Sequence, residues 1–419
     1  MQDCTLIFIN NSKSIIKNSK YFFVKNSSAI ILLVATLSFF LSNLLIKVNL
    51  DSVEYGKVAL LFSYFSLLTS FGLFGSEQLI IRNSIIKEND KIWINFSTCL
   101  IVLICFVCQL IFPLIFHKIY GFDNLLLGVI LSCCITFNTL AYCIFRLLSS
   151  FNISQFCVGS WKILSFFIIV ILLFFSIKVS YKIIEIILVC GLLIFFIIFS
   201  VLVSNKVEFE KPKITFSLLR NELHLLFYFF LSLFSLSFLA LGDRFLIAKL
   251  HSDYYFVGEY LFLGTLIVFP YNLFQNYFGF IYMVEFKNSN DFRSMIKIKL
   301  SEINKVSFFL TTAVIILLIT MIELGYLNKL FVFNNMFILV FMFITGIIKL
   351  YYSVYSSIMG IYGSINVLKK SNLITIFSII LAVLLILAFP NKNFIVFCFA
   401  SLWGIRVFLW HYFIINEIK

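Results

Sequence analysis

The chain has 419 residues, of which 62% are hydrophobic and 12% charged, with a mean hydropathy of +1.07. A soluble domain is nearer half apolar and a quarter charged, so this composition excludes a water-soluble globule. The net charge of +13 calls for no nucleic acid, because basic loops between membrane spans meet anionic lipid headgroups.

Residues 1–27 read as a cytoplasmic tail. Their lysines precede an apolar run that is too long for the core of a secretory signal, and no small-residue cleavage site follows. Runs of roughly 20 apolar residues cross a bilayer as helices. Twelve such runs are expected, at 28–46, 57–80, 93–116, 125–148, 159–177, 183–203, 223–247, 258–284, 304–324, 332–355, 372–389 and 393–414. The polar stretch 205–222, which carries Pro212, divides them six and six. The expected organisation is therefore a tail at 1–27, a first half at 28–204, a linker at 205–222 and a second half at 223–419. With the N-terminus inside, most of the 32 lysines and arginines fall on the inner loops. Lys87, Lys91, Lys206, Lys211, Lys213, Lys297 and Lys299 are examples. That bias places both termini in the cytoplasm.

Two segments repeat. Asp51 opens DSVEYGKVALLFSYFSLLTSFGLFGSEQLIIR, and His251 opens HSDYYFVGEYLFLGTLIVFPYNLFQNYFGFIYMVEF. Each has a polar turn, an aromatic-glycine-acid cluster and a long apolar run. Gly56 and Gly258 are 202 positions apart, and the cations Arg146 and Lys349 are 203 apart. Transporters built from repeated halves place their substrate path between the halves.

Chemical signatures are absent. There is no phosphate-binding Walker loop, no nucleophile elbow and no carboxylate pair at catalytic spacing, so no enzyme activity and no cofactor are expected. His117, His224, His251 and His411 are scattered near span ends. Nine of the ten cysteines lie in or at spans, where cysteine behaves as a small apolar residue. Cys105 and Cys108 have metal-like spacing but no partner histidines, and no metal site is expected.

The informative residues are ionisable groups at membrane depth, where charge is costly. Arg146 shares a helical face with Asn138, Tyr142 and Ser149, and Lys349 shares one with Thr345, Tyr352 and Ser356. Such a stripe faces a cavity, or its cation snorkels to the surface. Arg82 closes the second run as a surface anchor or a substrate contact. Asp243 and Arg244 are adjacent and so need different partners. Glu77, Glu259 and Glu285 are candidate proton or cation sites. Pro270 lies within the eighth run and favours a kink that could serve as a gate. Arg406, between Trp403 and Trp410, reads as an interfacial anchor.

The SVEYGK and FGLFGSEQLIIR stretches, with GDRFLIAKLHSDYYFVGEY in the second half, resemble the Wzx-type polysaccharide flippases. These are the polysaccharide-transporter branch of the multidrug/oligosaccharidyl-lipid/polysaccharide exporter superfamily. The resemblance implies an all-α integral membrane protein with about twelve transmembrane helices, in two pseudo-symmetric six-helix bundles around a central cavity. It implies a bacterial inner-membrane flippase for undecaprenyl-diphosphate-linked oligosaccharide. Arg146 and Lys349, with Arg82 and Arg244 behind them, would attract the diphosphate. Membrane lipids, and a polymerase and chain-length regulator of the same pathway, are the implied partners. A multidrug/cation antiporter of the same superfamily and an O-antigen polymerase are the alternatives. The antiporter would want a firm buried acid, and the polymerase a long periplasmic loop.

Overall fold

A computed structural model describes residues 27–86, 91–120, 124–209, 216–251, 254–287 and 292–417. The expected tail and part of the linker, 210–215, lie outside the described residues. The described residues are 89% helical, and the chain is an all-α, multi-pass membrane protein. Among the described residues, twelve helical stretches are long and apolar enough to cross a bilayer. Spans 1–6 are Ile30–Asn49, Ser52–Asn83, Phe96–Ile119, Leu125–Leu147, Phe151–Phe174 and Tyr181–Ser204. Spans 7–12 are Glu222–His251, Tyr254–Gly279, Arg293–Glu323, Met336–Tyr362, Asn366–Ala388 and Lys392–Asn416. Two faces follow: a basic face where span 1 begins, and an opposite face where it ends.

Several boundaries differ from the sequence expectation. The fifth helix begins at Phe151 rather than 159, and the ninth at Phe292 rather than 304. Polar residues such as Asn152, Gln155, Lys297 and Glu302 hid these first turns from a hydropathy reading. Span 2 is two helices, Ser52–Phe71 and Ser76–Asn83, separated at Phe74 and Gly75. Both residues have positive φ (52° and 89°), and a side chain at Gly75 would meet Phe229 Cβ at 2.8 Å. Only glycine tolerates both conditions. Span 3 breaks likewise between Cys108 and Ile111.

The linker contains a strand that was not expected. β1 (Ile85–Ile86) pairs antiparallel with β2 (Ile92–Ile94), and β2 pairs parallel with β3 (Val207–Phe209). Glu208 on β3 accepts from Lys91 at 2.6 Å and from the Trp93 indole. The next helix starts at Phe216, inside the stretch read as linker.

Packing recurs between the first six spans and the last six. Span 1 packs on span 5 and span 7 on span 11; span 2 packs on span 4 and span 8 on span 10. Span 4 packs on span 6 and span 10 on span 12. Across the middle, span 2 lies against span 8. There the repeated glycines meet. A Cβ at Gly56 would stand 2.5 Å from the Tyr254 carbonyl and 3.2 Å from Gly258 N. One at Gly258 would collide with the Ser52 carbonyl and stand 3.2 Å from Gly56 N. The obstacles are backbone, which cannot rotate away. Small residues of this kind let helices approach closely in lipid.

Gly56→Ala and Gly258→Ala are expected to destabilise by about 1–3 kcal/mol, the usual cost of overpacking. Gly279, with open space around its Cα, should accept alanine without loss. Thermal unfolding of the three detergent-purified variants checks this. Equal melting temperatures would refute the crossing as a close contact.

Candidate functional site

Two seams join the first six spans to the last six, and they differ. The seam between spans 2 and 7 is closed along its length. At the basic face Asn83 donates to Glu222 at 2.8 Å, and the Arg82 guanidinium lies 5.1 Å from the Phe229 ring. Midway, Phe71 packs against Phe230 and Phe234 at 5.3 and 5.9 Å, and Ser237 donates to Ser70 at 3.1 Å. Further on, Arg244 Nη1 donates to Ser63 at 3.1 Å.

The seam between spans 1 and 8 is closed only towards the opposite face. Lys47, near the end of span 1, forms an ion pair with Glu259, one residue after the crossing glycine. Ser52 donates to the same carboxylate oxygen at 2.5 Å. Glu259 is 3% exposed. Deeper in, Phe40 stacks on Phe269 at 5.1 Å. Beyond that ring pair the helices diverge into a cleft of about 490 Å³. Ser28, Leu32 and Thr36 of span 1, Gln155 of span 5 and Phe274 and Asn276 of span 8 line it. All lie in the basic-face halves of their spans. The lining is apolar with a few neutral polar groups. Lys162 of span 5 lies beside its floor, 6.0 Å from the Phe39 ring and 5.6 Å from Trp161.

The sequence-predicted cations do not converge. Lys349, 6% exposed, and Arg244 share a small cavity of about 40 Å³ with Asp243, Tyr260, Thr345 and Trp403. The Lys349 amine stands 5.0 Å from the Trp403 ring. Tyr260 donates to Asp243, so Asp243 and Arg244 have different partners as their adjacency required. The cavity holds a few waters at most and no diphosphate in this conformer. Arg82 borders a different cavity of about 120 Å³ with Tyr228 and Lys369. Arg146 is exposed in the last turn of its helix, where Nη1 donates to Tyr142 at 3.2 Å. The expectation of one face shared by Asn138 and Arg146 is corrected in part. Asn138 is buried and donates to Ser160 at 3.1 Å, away from the arginine.

Among the acids, Glu285 pairs with Lys299 at 2.6 Å, and Glu77 sits half-buried in the first turn after the Gly75 break. Pro270 lies inside a helix that runs unbroken over Tyr254–Lys287. Arg406 is not an interfacial anchor. It is 1% exposed, sits 5.7 and 4.9 Å from the Tyr352 and Trp410 rings, and donates to Ser235 at 3.1 Å. A residue bracketed by tryptophans reads as interfacial from local spacing alone; span 7 packing against span 12 removes it from the surface.

Sequence reasoning missed the Lys47–Glu259 pair, which joins residues 212 apart. Its signal was the acid beside Gly258 in the repeated motif. Nor did sequence reasoning single out Lys162.

No family model matches the chain, and no curated protein does. A solved structure called "protein A" superimposes with a TM-score of 0.58 at 13% identity, covering 94% of this chain and 95% of that one. At that identity the likeness shows a shared fold.

Removing one partner of a buried ion pair strands the other charge and costs about 3–5 kcal/mol. Lys47→Met and Glu259→Gln should therefore each lower the melting temperature more than the double variant does. Strictly additive losses in the cycle would show that the two side chains do not interact.

Proposed function

We propose that this chain is a flippase that moves undecaprenyl-diphosphate-linked oligosaccharide repeat units across the bacterial cytoplasmic membrane by alternating access. The observation that carries the reading is the cleft lined by spans 1, 5 and 8 in their basic-face halves, with the seam between spans 1 and 8 closed by Lys47–Glu259 towards the other face. A substrate with a polar head and a long apolar tail needs such a slot. The head cannot cross hydrocarbon cheaply, while the tail can stay in lipid. A closed pore would have to swallow the tail, and an open channel would leak.

In this reading the basic face is cytoplasmic, following the distribution of lysine and arginine. The two sets of six spans act as bundles that rock about the Gly56–Gly258 crossing. Lys162 beside the cleft floor meets the incoming diphosphate as a point charge, and Lys349 and Arg244 become accessible as their cavity opens. Arg146 and Arg82 stand near the cytoplasmic ends of their spans, where they draw anionic head groups inward. The surface polysaccharide served is O-antigen or a related polymer.

One observation favours a second reading. Glu259 provides a buried acid of the kind a drug/cation antiporter needs.

A clean deletion separates the readings. Loss of surface polymer, with single-repeat lipid-linked oligosaccharide retained at the inner leaflet, supports flipping. Repeats that reach the outer leaflet without lengthening indicate a polymerase. Intact polysaccharide with raised sensitivity to cationic drugs selects the antiporter. Lys349→Ala and Lys162→Ala should cut complementation of the deletion about tenfold or more, on the order of one lost charge-assisted contact at 1.5–3 kcal/mol. Normal surface polymer in both, at normal protein levels, would remove these residues from the path.

A further inference from the structure

Glu222, in the second turn of the helix that begins at Phe216 on the basic face, is 7% exposed. Its carboxylate does not face water. It is inserted between spans 2 and 3. Oε1 accepts three hydrogen bonds, from Asn83 Nδ2 at 2.8 Å, Thr98 Oγ1 at 3.0 Å and Ser97 Oγ at 3.1 Å. Ser97 and Thr98 are themselves buried. They lie in the first turn of the helix starting at Phe96, whose positive dipole end favours an anion nearby.

The second oxygen is different. Oε2 is buried and has no hydrogen-bond partner. Among the described residues, no lysine, arginine or histidine lies within 4.0 Å of either oxygen; the carboxylates with such pairs are Glu208, Glu259, Glu285 and Glu302. Arg82, next to Asn83, turns instead to the Phe229 ring. A buried charge is ordinarily paired or coordinates a metal. Here a buried carboxylate has one oxygen held by three neutral donors and the other without a hydrogen-bond partner.

We infer that Glu222, with the oxygens of Asn83, Ser97 and Thr98, forms a sodium site that latches spans 2 and 3 to span 7. The donor set defines the ion. A single carboxylate balances one monovalent charge, whereas calcium ordinarily gathers more oxygens and more charge. Hydroxyl and amide oxygens are hard neutral ligands, and close packing around the site favours a small ion over potassium. Asn83 presents its carbonyl oxygen by rotating its amide, and the two hydroxyls turn their lone pairs inward. The ion would tie two elements of the first half to the helix that begins the second. The inference does not rest on the flippase reading, since it concerns how the seam is held, whatever passes through the cleft.

The test is thermal unfolding of the purified full-length protein in detergent, titrated with sodium chloride against potassium and choline chloride at constant ionic strength. A ligand that binds only the folded state raises the melting temperature in a concentration-dependent way. Sodium should raise it and the other cations should not. Glu222→Gln should remove the sodium dependence while keeping a high melting temperature without sodium, because the amide is neutral. Thr98→Val should weaken apparent sodium affinity about tenfold or more, and serves if Glu222→Gln does not fold. Glu259→Gln should keep the full response. A melting temperature indifferent to sodium, or a response undiminished in both Glu222→Gln and Thr98→Val, overturns the site. A rise on acidification with no sodium effect would overturn it too, assigning Oε2 to a proton.

Discussion

The rest of the architecture hangs on the crossing of spans 2 and 8. Gly56 and Gly258 present backbone to backbone there, and any side chain at either would strike a main-chain atom. That closeness brings the end of span 1 within reach of Glu259, so a lysine and a glutamate can be buried as a pair rather than left as two isolated charges. It also determines where the helices part. Two rods that touch near one end and tilt must separate at the other, and the cleft between spans 1 and 8 is that separation. The aromatic contact of Phe40 with Phe269 marks the depth at which they diverge.

The interior solves its charge problem without many acids. The chain has 32 lysines and arginines against 19 aspartates and glutamates, so carboxylates cannot neutralise every cation that packing buries. Aromatic faces do much of this work. Lys349 lies against Trp403, and Arg406 lies between Tyr352 and Trp410 with a serine hydroxyl on one nitrogen. Such contacts are stronger when water is excluded. They also leave the cation's charge largely uncancelled, which an anionic ligand can use and a carboxylate partner would have consumed. Two buried acids sit where the two sets of spans meet. Glu259 serves one seam and Glu222 the other.

Much of the fold was legible because a bilayer reduces the problem to length and hydropathy. All twelve spans stood out, and the repeated glycines marked the point where span 2 meets span 8. Boundaries slipped where amphipathic first turns such as Phe151–Gln155 extend a helix beyond its apolar run. The three strands were hidden because each is two or three residues long and depends on a partner far away in sequence. The site was less legible than the fold. Helical spacing groups Arg146 with Asn138, but it cannot show that span 5 supplies Ser160 to Asn138 while the arginine remains in solvent. Local spacing could not pair Lys47, because its partner comes 212 residues later. Arg406 looked interfacial because tryptophans flank it; only span 7 reveals it as interior.

The small sheet has a mechanical meaning. β3 follows span 6 directly and is riveted to β2, in the loop between spans 2 and 3, through the Glu208 contacts with Lys91 and Trp93. The covalent leash from the first six spans to the last six is therefore only the chain between Phe209 and Phe216. Fully extended, seven residue steps reach about 25 Å. However far the spans swing apart at the basic face, the start of span 7 cannot travel beyond that radius from the sheet while the strands stay paired. The amplitude of any opening on that side is capped by rope length rather than by packing energy.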